Sequence, residues 1–230
     1  MGRVYLLRHG QASLLGDDYD RLSDLGRRQA EIAGTALAAQ GVDPVLVVSG
    51  ALRRQIDTAR HARLAARWRA ALEIDPDLDE YRHQDLFAAS FPQLADHAAM
   101  SARVAALPDP RRGFQNLFET AFAEWLAGAV REGGLSWSEF RSRTVAALGR
   151  AASRCGKGET AVVVTSGGVI AAIVQHLIGL PDAETLKLHN PLYNASITRL
   201  LTRGADIALS GFNDVSHLMT ASGDDLVSYR

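Results

Sequence analysis

Along the chain, short unbroken apolar runs alternate with longer stretches in which apolar residues recur at helical spacing. Residues 4–7 form one such run, closed by Arg8-His9-Gly10, and predict a buried strand. Ser23 is placed to cap a helix carrying Leu25, Ile32, Ala33, Ala36 and Leu37, with Gly41 as its stop. Residues 44–48 predict a second buried strand, followed by Ser49-Gly50 and a helix from about residue 51 to 68. Residues 73–78 are expected as a short strand and 79–88 as a polar loop. A third buried run, Thr160–Thr165, leads through Ser166-Gly167-Gly168 into a helix over 169–180. Residues 195–202 and 206–209 predict the last strands.

Strands alternating with helices predict an α/β, three-layer sandwich: a mostly parallel central sheet with helices on both faces. Residues 92–131 interrupt the rhythm with two helical patterns and no strand. The chain is therefore read as a single domain, 1–230, with 79–134 as a cap-like helical insertion over the site. In open α/β sheets ligands bind outside the carboxyl ends of the strands, which would bring Arg8-His9-Gly10 and Ser166-Gly167-Gly168 together.

Composition narrows the possibilities. A net charge of −1 gives no reason to expect nucleic acid or a membrane surface as partner. The single cysteine, Cys155, suits a reducing compartment, and the apolar stretch at the N-terminus is too short for a secretory signal. No stretch approaches the ~20 apolar residues that a spanning helix needs. The expected location is cytoplasmic, and a homodimer is the expected assembly. No metal-ligand cluster such as His-Glu-x-x-His is present, and Asp17, Asp18 and Asp20 lack the rest of a calcium loop, so no metal and no cofactor are expected. A P-loop is absent. A serine-hydrolase elbow around Ser166 fails because Val164 stands where glycine is required.

The stretch Leu7-Arg8-His9-Gly10-Gln11-Ala12-Ser13 resembles the signature of the histidine phosphatase superfamily, which includes the phosphoglycerate mutases. The likeness continues in Asp20-Arg21-Leu22-Ser23 through Gln29-Ala30, in Ser49-Gly50-Ala51-Leu52-Arg53-Arg54 with Thr58-Ala59, in Leu78-Asp79-Glu80, in residues 162–170, and in Phe212-Asn213 to His217-Leu218. The resemblance implies that His9 is a nucleophile forming a phosphohistidine and that Glu80 is the acid and base. It implies that Arg8 and Arg54 hold phosphoryl oxygens, with Arg54 favoured over Arg53 by its spacing to Thr58. Guanidinium suits this task because it stays charged and offers bidentate donors. Backbone amides at Gly167 and Gly168, opening a helix, would add donors, and Gln11 and Ser13 would line the pocket mouth.

Where the resemblance places a second histidine, this chain has Ser166. A serine hydroxyl can donate only a neutral hydrogen bond, so Ser166 is expected to contact phosphate more weakly, and His83 or Arg82 is expected to supply the missing positive charge. The function implied is a phosphomonoester hydrolase acting on a phosphorylated small molecule. The alternatives are a non-catalytic phosphate-ligand-binding pseudophosphatase and a phosphoglycerate mutase.

Overall fold

The computed structural model describes residues 1–12, 20–94 and 96–229; Ser13, Asp17 and Asp18 lie outside them. In chain order the strands are β1 (Gly2–Arg8), β2 (Leu46–Ser49), β3 (Leu72–Ile74), β4 (Thr160–Thr165), β5 (Ile197–Arg203) and β6 (Asp206–Asp214). The helices are α1 (Asp24–Ala39), α2 (Arg53–Ala66), α3 (His83–Ser90), α4 (His97–Ala105), α5 (Pro110–Leu126), α6 (Trp137–Ser153), α7 (Gly167–Ile178), α8 (Thr185–His189) and α9 (Ser216–Ser222). The strands form one sheet in the order β3-β2-β4-β1-β5-β6. The first four run parallel, while β5 is antiparallel to β1 and β6 to β5.

Alternation along each strand divides the core in two. Val4, Leu6, Leu46, Val48, Ala161 and Val163 face α6 and α7, where Phe140, Leu148, Ile170 and Ile173 complete one apolar cluster. Tyr5, Leu7, Val47, Val162 and Val164 face α1, α2 and α9, meeting Ala33, Leu37, Ala59, Ala62 and Leu218. The strands are thus buried on both sides, which is why they read as continuous apolar runs. Ser23 caps α1 as expected, its hydroxyl accepting from Gly26 N at 3.0 Å. Between β3 and α6 there are only helices and turns among the described residues, with α4 and α5 matching the two expected patterns.

Two expectations need correction. The strand expected over 73–78 is confined to Leu72–Ile74, and Pro76–Leu78 forms a single 3-10 turn. Proline cannot donate to a ladder, and the Asp75 carboxylate caps the turn by accepting from Asp77 N at 3.1 Å. The loop expected over 79–88 gives way at His83 to α3, because Leu86 and Phe87 are drawn into the core cluster under α5 and α6. Among the described residues no helix is long and apolar enough to cross a membrane.

Candidate active site

Three adjacent parallel strands, β2, β4 and β1, end side by side. Arg8 pairs in register with Thr165, and Ser49 with Val164. His9 N donates to Thr165 O at 2.8 Å, and Gly50 N to Val164 O at 3.2 Å, so the three turns leave the sheet tied together. The tight passage after His9 depends on glycine: a Cβ at Gly10 would lie 2.2 Å from the Gly26 carbonyl oxygen.

His9 is buried at this junction. Its Nδ1 lies 2.8 Å from Gly10 O, and a carbonyl can only accept, so Nδ1 carries the proton and Nε2 keeps its lone pair. Arg54 Nε donates to that Nε2 at 3.2 Å. Burial first, then the positive charges of Arg54 and Arg8, hold the imidazole pKa well below its ordinary value against the opposing Gly10 bond. The ring is therefore a neutral base aimed at a guanidinium.

Of the two neighbouring arginines, Arg54 is buried and turned to His9, while Arg53 is exposed and pairs with Asp57 at 3.7 Å. Arg54 Nη1 is held by Asp20 Oδ1 at 2.7 Å, and the other oxygen of Asp20 accepts from Arg53 N at the start of α2, also at 2.7 Å. Arg8 is buried beside Gly167 and donates to the Leu192 carbonyl.

Glu80 reaches the same place from the turn after β3. Its Oε2 accepts from Gly168 N at 2.9 Å and its Oε1 from Tyr81 N at 3.3 Å. Protein packs around the carboxyl, though part of the side chain still meets solvent, and burial raises its pKa. The Gly168 N–H and then the charges of Arg54 and Arg8 pull the other way. The Gly168 amide, expected as an anion donor, is therefore committed to Glu80; only the Gly167 amide keeps the expected place at the first residue of α7.

Ser166 lies at the end of β4, fully buried. Its backbone takes the cap position of α7, yet its hydroxyl makes no capping bond and instead accepts from Gln55 Nε2 at 2.8 Å. Gln11 is half-buried, and its side-chain oxygen accepts from Ser23 Oγ at 2.9 Å. His83 is half-buried at the start of α3, with its ring 5.1 Å from Tyr81 and 5.8 Å from Phe118, and Arg82 is exposed. Tyr81 bridges inward and outward: it abuts Gly168, and its hydroxyl lies 3.2 Å from His189 Nε2. Among the described residues no group of three His, Cys, Asp or Glu could hold a metal ion.

Several residues shape the site through hydrogen bonds that the sequence pattern did not reveal. Thr58 Oγ1 accepts from Gly10 N at 3.0 Å, and Asn194 Nδ2 lies 3.4 Å from His9 O. The Leu78 carbonyl, two residues before Glu80, accepts from Thr165 Oγ1 at 2.6 Å and from Gln55 Nε2 at 3.1 Å. Asp20 lay inside a stretch already singled out, but its partner Arg54 is too distant in sequence to be paired with it by spacing.

Known proteins share the fold and much of the sequence pattern. A profile of the histidine phosphatase superfamily (branch 1) matches residues 4–215. The glucosyl-3-phosphoglycerate phosphatase of Mycolicibacterium vanbaalenii is 31% identical over 191 residues, covering 78% of this chain and 75% of that protein. The metal-independent phosphoserine phosphatase of Arabidopsis thaliana is 27% identical over 224 residues, covering 94% and 82%. Among solved structures, a mycobacterial glucosyl-3-phosphoglycerate phosphatase in complex with inorganic phosphate superposes with a TM-score of 0.63 at 28% identity, covering 94% of this chain and 98% of that one. With the match spanning nearly its whole length, the chain belongs to branch 1 of the histidine phosphatase superfamily.

Proposed function

We propose that the protein is a phosphomonoester hydrolase that works through a phosphohistidine at His9. The observation that carries this reading is the neutral His9 ring, with Nδ1 locked on Gly10 O and the Nε2 lone pair facing Arg54. A phosphoryl oxygen arriving beside Arg54 and Arg8 takes over as acceptor from Nε2, which frees the lone pair to attack phosphorus. The Nε2–P bond forms as the ester P–O bond breaks, and the Glu80 carboxyl gives its proton to the departing oxygen. Water then attacks phosphorus, Glu80 takes up the water proton, the Nε2–P bond breaks, and phosphate leaves. The Gly167 N–H and the Ser166 hydroxyl are further donors to the phosphoryl group, with Gln11 at the mouth. The substrate is a phosphorylated small molecule, in keeping with the relatives, and the segment 79–134 acts as a cap that shapes the space for its leaving group. His83 or Arg82, both within that segment, supplies the positive charge that Ser166 lacks. The compartment we propose is the cytoplasm.

Ser166, in place of a cation, favours one rival, a protein that binds phosphate esters without turnover. Incubation with p-nitrophenyl phosphate, rapid acid-free quenching and mass spectrometry separate the two. The hydrolase labels His9 and releases free phosphate, and His9→Ala loses both label and release. A wild-type protein that binds phosphate but never labels or hydrolyses overturns the proposal. Phosphate exchanged between positions of a phosphoglycerate, without release, would point to a mutase.

A further inference from the structure

We propose that Gln55 is a positioning residue that sets the direction of the Ser166 hydroxyl, so that Gln55 and Ser166 together do what a single donor side chain at position 166 would do. The proposal rests on the phosphohistidine reading above and concerns how this chain manages with a serine there.

Gln55 is fully buried on the first turn of α2, one residue after Arg54. The orientation of its amide follows from its partners. Oε1 accepts from Leu52 N at 3.3 Å, which turns Nε2 the other way. Nε2 has two hydrogens, and both have acceptors: Leu78 O at 3.1 Å and Ser166 Oγ at 2.8 Å. The Leu78 carbonyl can only accept. The Ser166 oxygen is therefore the acceptor in its bond with Gln55, and its own hydrogen is left for a different acceptor.

Position brings that hydrogen to the phosphoryl site. Ser166 follows Thr165, whose Cα partner across the sheet is Arg8, and it precedes Gly167, where a Cβ would lie 3.4 Å from Arg8 Nε. Fully buried, the hydroxyl has few acceptors to choose from, and a phosphoryl oxygen held by Arg8 is a strong one. An unguided serine rotor would spend part of its time donating elsewhere; the amide removes that freedom before substrate arrives. The Leu78 carbonyl also accepts from Thr165 Oγ1 at 2.6 Å, so it keeps a donor when the amide is removed. A hydrophobic residue of equal size would fill the volume and lose both bonds.

The test is a double-mutant cycle on p-nitrophenyl phosphate hydrolysis, with Gln55→Met, Ser166→Ala and the double variant, each checked by thermal melting. Each single change is expected to lower kcat about tenfold, and the double variant to fall no more than about twofold below Ser166→Ala, because the two act as one unit. A residue that only supports the fold would give losses that multiply and a falling melting temperature. Multiplying losses, or wild-type kcat in Gln55→Met, overturn the proposal. Should Gln55→Met not fold, Gln55→Glu, protonated in this buried place, keeps the Leu52 bond and gives its one hydrogen to Leu78 O, which turns the Ser166 hydrogen back toward position 55; its loss must likewise vanish in the Ser166→Ala background. Wild-type kcat in Ser166→Ala alone also overturns the proposal, since a hydroxyl that contributes nothing needs no guide. The hydrolase reading fails separately, by absence of phosphate release and of His9 label in the wild-type protein.

Discussion

At Gly168 the chain has room for a hydrogen and nothing larger. A Cβ there would sit 2.3 Å from Glu80 Oε1 and 2.4 Å from Tyr81 Cε1, and the residue's own N–H is the donor that holds Glu80 Oε2. Gly168→Ala is expected to displace Glu80 by the better part of an ångström and to lower kcat for p-nitrophenyl phosphate about a hundredfold, with inorganic phosphate inhibition much less changed; steady-state kinetics check both. The charges of His9 and Glu80 set the pH response. Falling pH puts a proton on His9 and removes the nucleophile, but the lowered pKa postpones that loss to well below 6.5. Rising pH takes the proton from Glu80 and removes the acid, but the raised pKa carries activity above 4.5. The profile of kcat/KM is therefore expected to be bell-shaped, and Glu80→Gln to abolish the alkaline limb while lowering the rate about a hundredfold or more. Comparing variant with wild type at each pH cancels the substrate's own ionisation. How much of this was legible in the sequence differed by residue. Arg8, His9 and Arg54 stand at strand ends and helix starts where spacing locates them, and the structure brings them together. Gln55 and Asn194 act through hydrogen bonds to backbone or side chain across the fold, and no local pattern marks such a partner; Thr58 and Thr165 lay within noted stretches, but what they bond to did not show there. The Gly168 amide was misjudged because Glu80, its acceptor, arrives from 88 residues away.

Among the elements, α5, α6 and the turn before α3 are joined by rings rather than by strands. Tyr81, Phe122, Trp125, Trp137 and Phe140 meet at centroid separations of 5.0 to 6.0 Å, several of them edge to face. Trp125 Nε1 donates to Leu135 O at 2.8 Å, and Ser136 with Glu139 forms a capping box at the head of α6, so the cluster is pinned at its polar edges. Phe122 is fully buried at its centre. Phe122→Ala is expected to lower the free energy of unfolding by about 3–5 kcal/mol, read from urea denaturation, because the surrounding rings cannot collapse onto the space. The helical periodicity of α4 and α5 was visible in the sequence; α3 was not, since its eight residues carry two buried side chains and begin in a polar run. Its helical state is imposed by what Leu86 and Phe87 pack against, and tertiary contact of that kind outweighs local preference.

On the scale of the molecule, the parallel part of the sheet followed from its apolar runs, because a strand covered on both faces has no polar side to show. The order of strands did not follow, since no local pattern says that β1 lies between β4 and β5. That placement bears on how the protein is made. The strand that delivers His9 precedes both of its neighbours in the chain, Thr160–Thr165 and Ile197–Arg203. Until those residues are synthesised, residues 4–7 are an apolar stretch with no partner, a natural target for a chaperone and a point of risk for aggregation. Pairings this distant in sequence also make for slow folding. The nucleophile is thus translated ahead of both strands that flank it, and until they are made a growing chain carries the histidine without the pocket that would let it react.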